Sequence, residues 1–228
     1  MNSRHEQYLE KTYEARDSYY ESVGKPDSDV LGQAIPGEWQ GEAAWPTIRK
    51  AYRVIRRSHS VIIATDGLAD PFEDDDDSTG ASGFDLELYI EAEDLATDAN
   101  VLDGGNVWAL ELLIHAADEA AGRGAFREWI EKYGCVSMAL PGHDLPERWL
   151  DQDGNAAILF NVPSPDIPSE MPLPLGRALM VPITLILPDE LQLIIEHKAE
   201  GRERLRDLLV SSGNWHRIRL NRPSVVSS

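Results

Sequence analysis

Two stretches of the chain decide its fold: Thr65-Asp66-Gly67-Leu68-Ala69-Asp70-Pro71-Phe72 and Ser82-Gly83-Phe84-Asp85-Leu86-Glu87-Leu88. The first continues a β-branched run, Ser60–Thr65, which predicts a strand that ends in a turn. In the second, apolar side chains alternate with mostly acidic ones from Phe84 to Glu91. This alternation predicts a half-buried strand with one apolar face and one mostly acidic face. The acidic residues between the two stretches predict a solvated loop.

Periodicity predicts the other elements. Helical spacing predicts helices over residues 3–22, from Asn106 to Ala117, after Gly124, from Pro188, and over 201–212. Apolar and β-branched runs predict strands over residues 51–56, 136–140, 156–162, 179–187 and 215–220. Five prolines between residues 163 and 174 predict a loop. The order of these elements predicts an α+β domain with a mixed sheet, in which an N-terminal helix (residues 1–24) precedes the rest of the domain (25–228).

Charge is the first indication of function. The 228-residue chain has a formal net charge of −19, and no lysine or arginine lies between Arg57 and Arg123. Such acidity disfavours binding to nucleic acids or to anionic membranes, because phosphate groups are repelled. It favours a cationic protein partner, whose approach an acidic surface accelerates. The alternative interpretation is that the acidity serves solubility alone. The basic cluster between Arg49 and Arg57 and the basic tail from His197 to Arg222 can pair with the acidic block, but they could not neutralise all of it.

Cysteine usage and hydropathy indicate the compartment. Cys135 is the single cysteine, which excludes an intramolecular disulfide and a multi-cysteine zinc site. The N-terminus shows no apolar segment of the secretory type, and no run of about 18 apolar residues predicts a membrane span. We therefore expect a cytoplasmic protein.

The four consecutive aspartates, Asp74–Asp77, raise a metal hypothesis. A calcium loop that starts at Asp75 would place Gly80 at the sixth position, as required. Its twelfth position would be Leu86 rather than a bidentate glutamate, and the strand pattern needs Leu86 for its apolar face. The alternatives are weak cation binding by adjacent carboxylates and a solvated acidic loop; the last is the preferred interpretation, and no cofactor is predicted.

Catalytic motifs are missing from the sequence. There is no phosphate-binding glycine loop, nucleophile elbow or paired-histidine zinc motif. His143 and Asp144 form the one compact acid–base pair in the sequence. His143 is either a catalytic base oriented by Asp144 or a histidine that hydrogen-bonds the backbone of a turn. A metal-dependent enzyme that uses this pair and the aspartate run is the competing class. Trp39 and Trp45 lie in a Gly/Pro-rich segment and are either exposed binding anchors or lids on the core.

The two opening stretches resemble the core of suppressor-of-fused-like domains: a strand that ends in G-[LM]-S-D with an aromatic residue, an acidic loop, and then S-G-[FY]-x-[LF]-E-L. Further similarities follow in the family's order, in a tryptophan-containing helix (Trp108–Ala117), in the turn Gly142–Pro146, and in the strand and helix start Val181–Leu191. The resemblance covers roughly Lys25 to Val226. Ala69 replaces the usual serine, and the acidic run Glu73–Asp77 carries more charge than the pattern needs.

The resemblance implies a single α+β domain, with a mixed, mostly antiparallel sheet flanked by helices, and a non-enzymatic protein-binding function. The bacterial type implies an immunity protein that neutralises a polymorphic toxin by direct binding. The alternative is a regulatory or scaffolding protein that holds an extended peptide of a cytoplasmic partner, because the family includes such a regulator in animals. An exposed edge of the strand near Thr65–Asp70 or Phe84–Glu91 would suit such a peptide. The predicted partner contacts are Asp66, Asp70, Phe72, Glu73, Asp74, Asp75, Asp76, Asp77, Glu87 and Tyr89.

Overall fold

The computed structural model describes residues 3–32 and 43–226. The α-helical elements within these residues are α1 (Arg4–Val23), α2 (Trp108–Arg123), α3 (Phe126–Tyr133) and α4 (Pro188–Ser211). The strands found in the described ranges are β1 (Lys25–Pro26), β2 (Leu31–Gly32), β3 (Ala51–Arg56), β4 (Val61–Thr65), β5 (Leu86–Ala92), β6 (Val136–Pro141), β7 (Asn155–Phe160), β8 (Glu170–Leu173) and β9 (Gly176–Ile186). Among these described helices, none is both long and apolar enough to cross a membrane.

The strands form one mixed sheet in the order β1-β3-β4-β5-β9-β7-β6, with β2 paired to β3 and β8 paired to β9. Among the described pairings, β5 with β9 is the parallel one, in the register Leu86↔Leu179, and the others are antiparallel. A parallel pair requires a long crossover, and here it contains α2 and α3. The predicted α+β fold with a mixed, mostly antiparallel sheet is thus confirmed.

Helices cover both faces of the sheet because its strands alternate their side chains. Val61 and Ile63 of β4 pack in the cluster that contains α2 and α3, and Ile62 and Ala64 pack with α1. Farther along the same side as α1, α4 packs on β7 and the end of β9. Each face therefore has its own apolar core, and the central strands are buried on both faces.

The N-terminal helix begins where the sequence predicts it. Ser3 caps α1: its hydroxyl accepts from the amide of Glu6, and the Glu6 carboxylate accepts from the amide of Ser3. This reciprocal capping box satisfies two backbone donors that the first helical turn leaves open. The buried side of α1 carries Thr12, Arg16, Tyr19 and Tyr20, so an arginine lies on the face that packs on the sheet.

The prediction of a half-buried strand over residues 84–91 is wrong in one respect. All seven residues of β5 are buried, including Glu87, Tyr89 and Glu91 on the face predicted to be exposed. The reason is that α1 and the C-terminal segment supply cationic and hydrogen-bonding groups to that face. The acidic side chains of β5 were predicted to face solvent. In the structure Glu87 and Glu91 are instead buried and form ion pairs.

Two further predictions of local structure need correction, and a third is confirmed. The proline-rich segment 163–174 contains β8, in which buried Met171 and Leu173 alternate with exposed residues. Residues 215–220 do not form a strand, because only Ile218 makes a bridge, to Ala92. The two helices predicted near the C-terminus are both present, because the backbone of α4 is kinked at Lys198, whose φ of 53° and ψ of −117° are not helical.

Candidate functional site

The two motif stretches meet at one corner of the sheet, where Arg16 of α1 lies among three carboxylates. Its Nε is 2.6 Å from Asp66, its Nη2 is 2.6 Å from Asp70, and its Nη1 is 2.8 Å from Glu87. All four side chains are at most 1% exposed. Buried charges require such pairing, because an isolated ion is strongly destabilised away from water. We call these four residues the arginine network.

The Glu87 carboxylate also organises the turn after β4. It accepts hydrogen bonds from the backbone amides of Gly67, Leu68 and Ala69 at 3.1 to 3.3 Å, and from the Thr65 hydroxyl. Three consecutive amides therefore point at one carboxylate. This explains why the first stretch turns after its strand and why a glutamate stands in the second stretch.

Two further arginines balance the charge of the arginine network. Arg49 binds Asp66 with both terminal nitrogens, at 3.0 and 2.8 Å, and Nε of Arg53 lies 3.4 Å from the same carboxylate. Burial raises the pKa of the Asp66 carboxyl, but Arg16 and Arg49 outweigh burial and hold that pKa below its usual value. The corner thus contains three arginines and three acids, whose formal charges balance.

The turn Trp45–Arg49 packs onto this corner. Trp45 is buried, the Thr47 hydroxyl donates to Asp70 at 3.1 Å, and Arg49 binds Asp66. Ile48, between these two anchors, is 83% exposed. We call residues 45–49 the displayed turn.

Two motif glycines make room for the displayed turn. A Cβ at Gly67 would lie 2.8 Å from the Arg49 carbonyl oxygen and 3.1 Å from the Trp45 ring. At Gly83, which has a φ of +58°, a Cβ would lie 2.3 Å from the Asp70 carbonyl oxygen and 2.9 Å from Pro46. Both glycines are therefore required by close packing, and Gly83 also by its left-handed backbone.

The acidic loop, Glu73–Gly80, leaves the corner between the two stretches. Its base is closed by Asp75, whose Oδ2 accepts from the amides of Phe72 at 2.9 Å and Gly83 at 2.8 Å. The rings of Phe72 and Phe84 stack edge to face at 5.5 Å. These contacts fix the two ends of the acidic loop on the fold.

The outer part of the acidic loop presents carboxylates to solvent. Glu73, Asp74 and Asp77 are exposed, and Asp76 is half-buried against Ser78 of the same loop. Asp77 pairs with Arg4 of α1 at 3.0 Å, with both side chains mostly exposed. A pair this exposed is weak and is screened by salt, so it does not withdraw Asp77 from solvent.

The structure divides the predicted partner contacts into two groups. Asp66, Asp70, Glu87 and Tyr89 are buried, so their prediction as contacts is corrected: three of them neutralise Arg16, and Tyr89 packs in the core under α1. The others are at least partly accessible, and for them partner contact stays a prediction: Phe72, Glu73, Asp74, Asp75, Asp76 and Asp77.

The predicted free strand edge is also corrected. β4 is paired with β3 and β5, and β5 is paired with β4 and β9, so neither offers an open edge. The outer strand at the other side of the sheet is β6, which pairs with β7 alone among the strands that the structure describes.

A second buried acid, Glu91 of β5, lies at the opposite end of that strand. Ser60 donates to its Oε1 at 2.6 Å, Nε2 of His216 lies 2.8 Å from its Oε2, and Arg57 binds it at 2.9 Å. Burial favours the neutral acid, but His216, Ser60 and Arg57 together lower the pKa of Glu91 to about 2. Arg217, on the same C-terminal segment as His216, lies 3.5 Å away, so part of the predicted pairing between basic tail and acidic block is present.

The residues considered for metal binding and catalysis are not clustered into a site in the described part of the chain. Within residues 3–32 and 43–226, no group of three or more His, Cys, Asp or Glu side chains is arranged to hold a metal ion. Leu86, at the twelfth position of the hypothetical calcium loop, is buried in the core. His143 and Asp144 are exposed side chains in a turn, and the His143 ring centroid lies 6.0 Å from that of His115. Trp45 is a lid on the core, and Trp39 lies outside the described residues.

Sequence reasoning missed Arg16, the centre of the corner. A signal was present, because Arg16 shares a helix face with Thr12, Tyr19 and Tyr20 at spacings of four, three and four residues. An arginine on the buried side of an amphipathic helix requires buried acids opposite it. The acidic face of β5 is the matching half of that pattern.

No protein-family model matches the chain, and no curated protein matches it in sequence. Solved structures do match it. A chain in the crystal structure of the Sufu–Fu complex aligns with 96% of this chain and 93% of its own length, at 15% identity and a TM-score of 0.56. The crystal structure of Drosophila Suppressor of Fused aligns with 96% of this chain at 16% identity and a TM-score of 0.55. The chain has a suppressor-of-fused-like fold.

This suppressor-of-fused-like fold confirms the resemblance inferred from the two motif stretches. The chain spans about half the length of the Drosophila protein, since the alignment covers 51% of that chain. At this identity the likeness concerns the fold, which is compatible with a protein-binding module.

Proposed function

We propose that this chain is a non-enzymatic protein-binding module that acts in the cytoplasm as an immunity-type protein and neutralises a polymorphic toxin by direct binding. The observation that carries the proposal is the suppressor-of-fused-like fold, since one of its solved representatives is a Sufu–Fu complex. The acidic loop supports a cationic partner, because its carboxylates face solvent on a chain of net charge −19.

Electrostatics suits a cationic partner better than a neutral one. Glu73 and Asp74 are exposed and make no ion pair among those found in the described residues. Exposed acids of this kind attract a basic surface over roughly 8 to 10 Å at physiological salt and accelerate encounter. A toxin that grips phosphates, such as a nuclease, needs a basic active site, and an acidic surface is suited to cover it.

A charge-reversal experiment tests the contact. The partner is co-purified with tagged protein from its native cells and expressed with it, and affinity is measured by calorimetry. The variant Glu73→Lys/Asp74→Lys is compared with Glu200→Lys/Glu203→Lys on α4, which changes the net charge equally at another exposed place. We expect the loop variant to weaken binding about tenfold or more, and the α4 variant to have a much smaller effect.

Equal losses in the two variants would indicate general electrostatic attraction and would overturn the acidic loop as the contact. The toxin version of the proposal has its own test. Co-expression with the captured partner must relieve growth inhibition by that partner, and a partner without toxicity contradicts the immunity role while leaving protein binding intact.

A second candidate function is supported by the open outer edge of β6. An extended peptide of a cytoplasmic partner can add to such an edge through backbone hydrogen bonds, as a regulatory or scaffolding protein would require. Hydrogen–deuterium exchange of the partner complex separates the two candidates. Strand addition protects backbone amides of residues 136–140, whereas contact at the acidic loop protects residues 73–80.

A further inference from the structure

Ile48 differs from the other exposed apolar side chains of the protein. At 83% exposure it is the most exposed large hydrophobic residue in the described part of the chain, ahead of Ile195 at 59%. Single exposed hydrophobic residues are common on protein surfaces, so exposure alone decides little. What distinguishes Ile48 is how its backbone is held and what lies beside it.

The residues on both sides of Ile48 are anchored to buried groups. The Thr47 hydroxyl donates to Asp70, and it also accepts from the Arg49 amide at 3.2 Å. The Arg49 guanidinium binds Asp66 and stacks over the Tyr13 ring at 4.8 Å. The backbone of the displayed turn is therefore fixed while its apolar side chain points into solvent. A group held in this way loses little conformational entropy when a partner covers it.

The displayed turn and the acidic loop share one base. Pro46 lies against Gly83, and Gly83 donates its amide to Asp75 at the base of the acidic loop. Thr47 binds Asp70, two residues before Phe72, where the loop leaves the sheet. The corner thus carries an exposed apolar side chain on the displayed turn and exposed carboxylates on the acidic loop. An apolar centre with a polar rim is the usual composition of a protein-binding surface.

We infer that Ile48 is the apolar anchor of the interface, and that its partner is a basic protein surface with an apolar patch among lysines or arginines. The inference rests on the proposed protein-binding function and specifies the chemistry of the partner. Charge complementarity with the acidic loop selects the basic surroundings, and burial of Ile48 requires the apolar centre.

Two labelled peptides serve as probes: one of alternating lysine and leucine, and a matched one of alternating lysine and serine. Their binding is measured by fluorescence anisotropy. We expect the wild-type protein to bind the lysine–leucine peptide at least about tenfold more tightly, because contact with an isoleucine adds that much. Ile48→Ser should remove this preference, and Ile195→Ser, the same change at another exposed isoleucine, should keep it. Both positions are exposed, so the melting temperature of each variant should equal that of the wild type.

The acid-reversed variant Glu73→Lys/Asp74→Lys separates this inference from the proposed function. It should weaken the binding of both peptides, since both carry the same charge. If it does so while Ile48→Ser retains the preference for leucine, the anchor is wrong and the acidic contact stands. If the wild type binds neither peptide, the anchor and the acidic contact are both overturned.

Discussion

Nη1 of Arg16 lies 2.8 Å from Oε1 of Glu87, and this contact joins the first helix to the central strand in the interior of the protein. The pair connects residues that are 71 positions apart in the chain. It also explains an otherwise contradictory pattern, in which acidic side chains alternate along a strand that is buried on both faces.

Replacing Arg16 should destabilise the fold strongly. Arg16→Met leaves Asp66, Asp70 and Glu87 without their shared cation, and we expect a loss of about 3 to 5 kcal/mol in the free energy of unfolding. Arg177→Met is the control, because Arg177 makes an exposed pair with Glu170 and should change stability by about 0.5 kcal/mol or less. Urea denaturation measures both. A loss below about 1 kcal/mol for Arg16→Met would contradict the role of the arginine network.

The glycine at position 83 should be far more sensitive than the one at position 80. Both have a positive φ, of +58° and +62°, so alanine is strained by about 1 to 2 kcal/mol at either position. Only at Gly83 would the new Cβ also collide, 2.3 Å from the Asp70 carbonyl oxygen, whereas nothing lies within 4 Å at Gly80. Gly83→Ala should therefore lose clearly more stability than Gly80→Ala in the same urea assay. Equal losses would show that backbone strain alone explains the motif glycine.

Protonation of Glu91 at low pH should destabilise the protein. Its pKa is lowered to about 2 in the folded protein from an ordinary value of 4.5, so its contribution is complete above about pH 5 and is lost as pH falls towards 2. The shift corresponds to roughly 3 kcal/mol at neutral pH. We expect wild type and Glu91→Gln to differ by about that amount at pH 7 and to converge as the pH is lowered. Unfolding curves recorded at successive pH values test this, and a difference independent of pH would contradict it.

The packing of the C-terminal segment onto α4 should depend on one buried ion pair, between Arg222 and Glu190. Arg222 binds Glu190 at the start of α4 through both terminal nitrogens, at 2.5 and 2.6 Å, and Glu190 also accepts from the Val225 amide. Arg222→Met should destabilise by about 3 kcal/mol, because it leaves the glutamate buried and unpaired. The double variant Glu190→Gln/Arg222→Met should be no less stable than Arg222→Met alone. Strictly additive losses in this double-mutant cycle would show that the two residues do not act as a pair.

Much of the fold could be predicted from local pattern. The motif stretches, the apolar alternation of β5 and the proline at the start of α4 all have local causes, namely turns, pleats and helix starts. The burial of Glu87 could not be predicted in this way, because it depends on Arg16 from a distant helix. β8 was missed because the five prolines of segment 163–174 indicated a loop, although buried Met171 and Leu173 alternate along the strand.

The candidate site could be predicted only in its exposed part. The acidic loop is visible in the sequence as a run of charge, and its solvation follows from that charge. The exposure of Ile48 could not be predicted from the sequence, because an isoleucine three residues after a tryptophan is more typical of the core than of the surface. Ile48 is exposed because Thr47 binds Asp70 and Arg49 binds Asp66, and these contacts form only when the chain is folded.

The closure of the acidic loop by Asp75 has a consequence for protein engineering. Its carboxylate ties Phe72 to Gly83, so the two ends of the loop are held together whatever the tip contains. Residues 76–79 can then be exchanged for foreign sequences, with Gly80 kept for its positive φ, while the arginine network keeps the scaffold intact. The corner is a natural grafting position, from which a library of tips would yield binders of altered specificity on an unchanged framework.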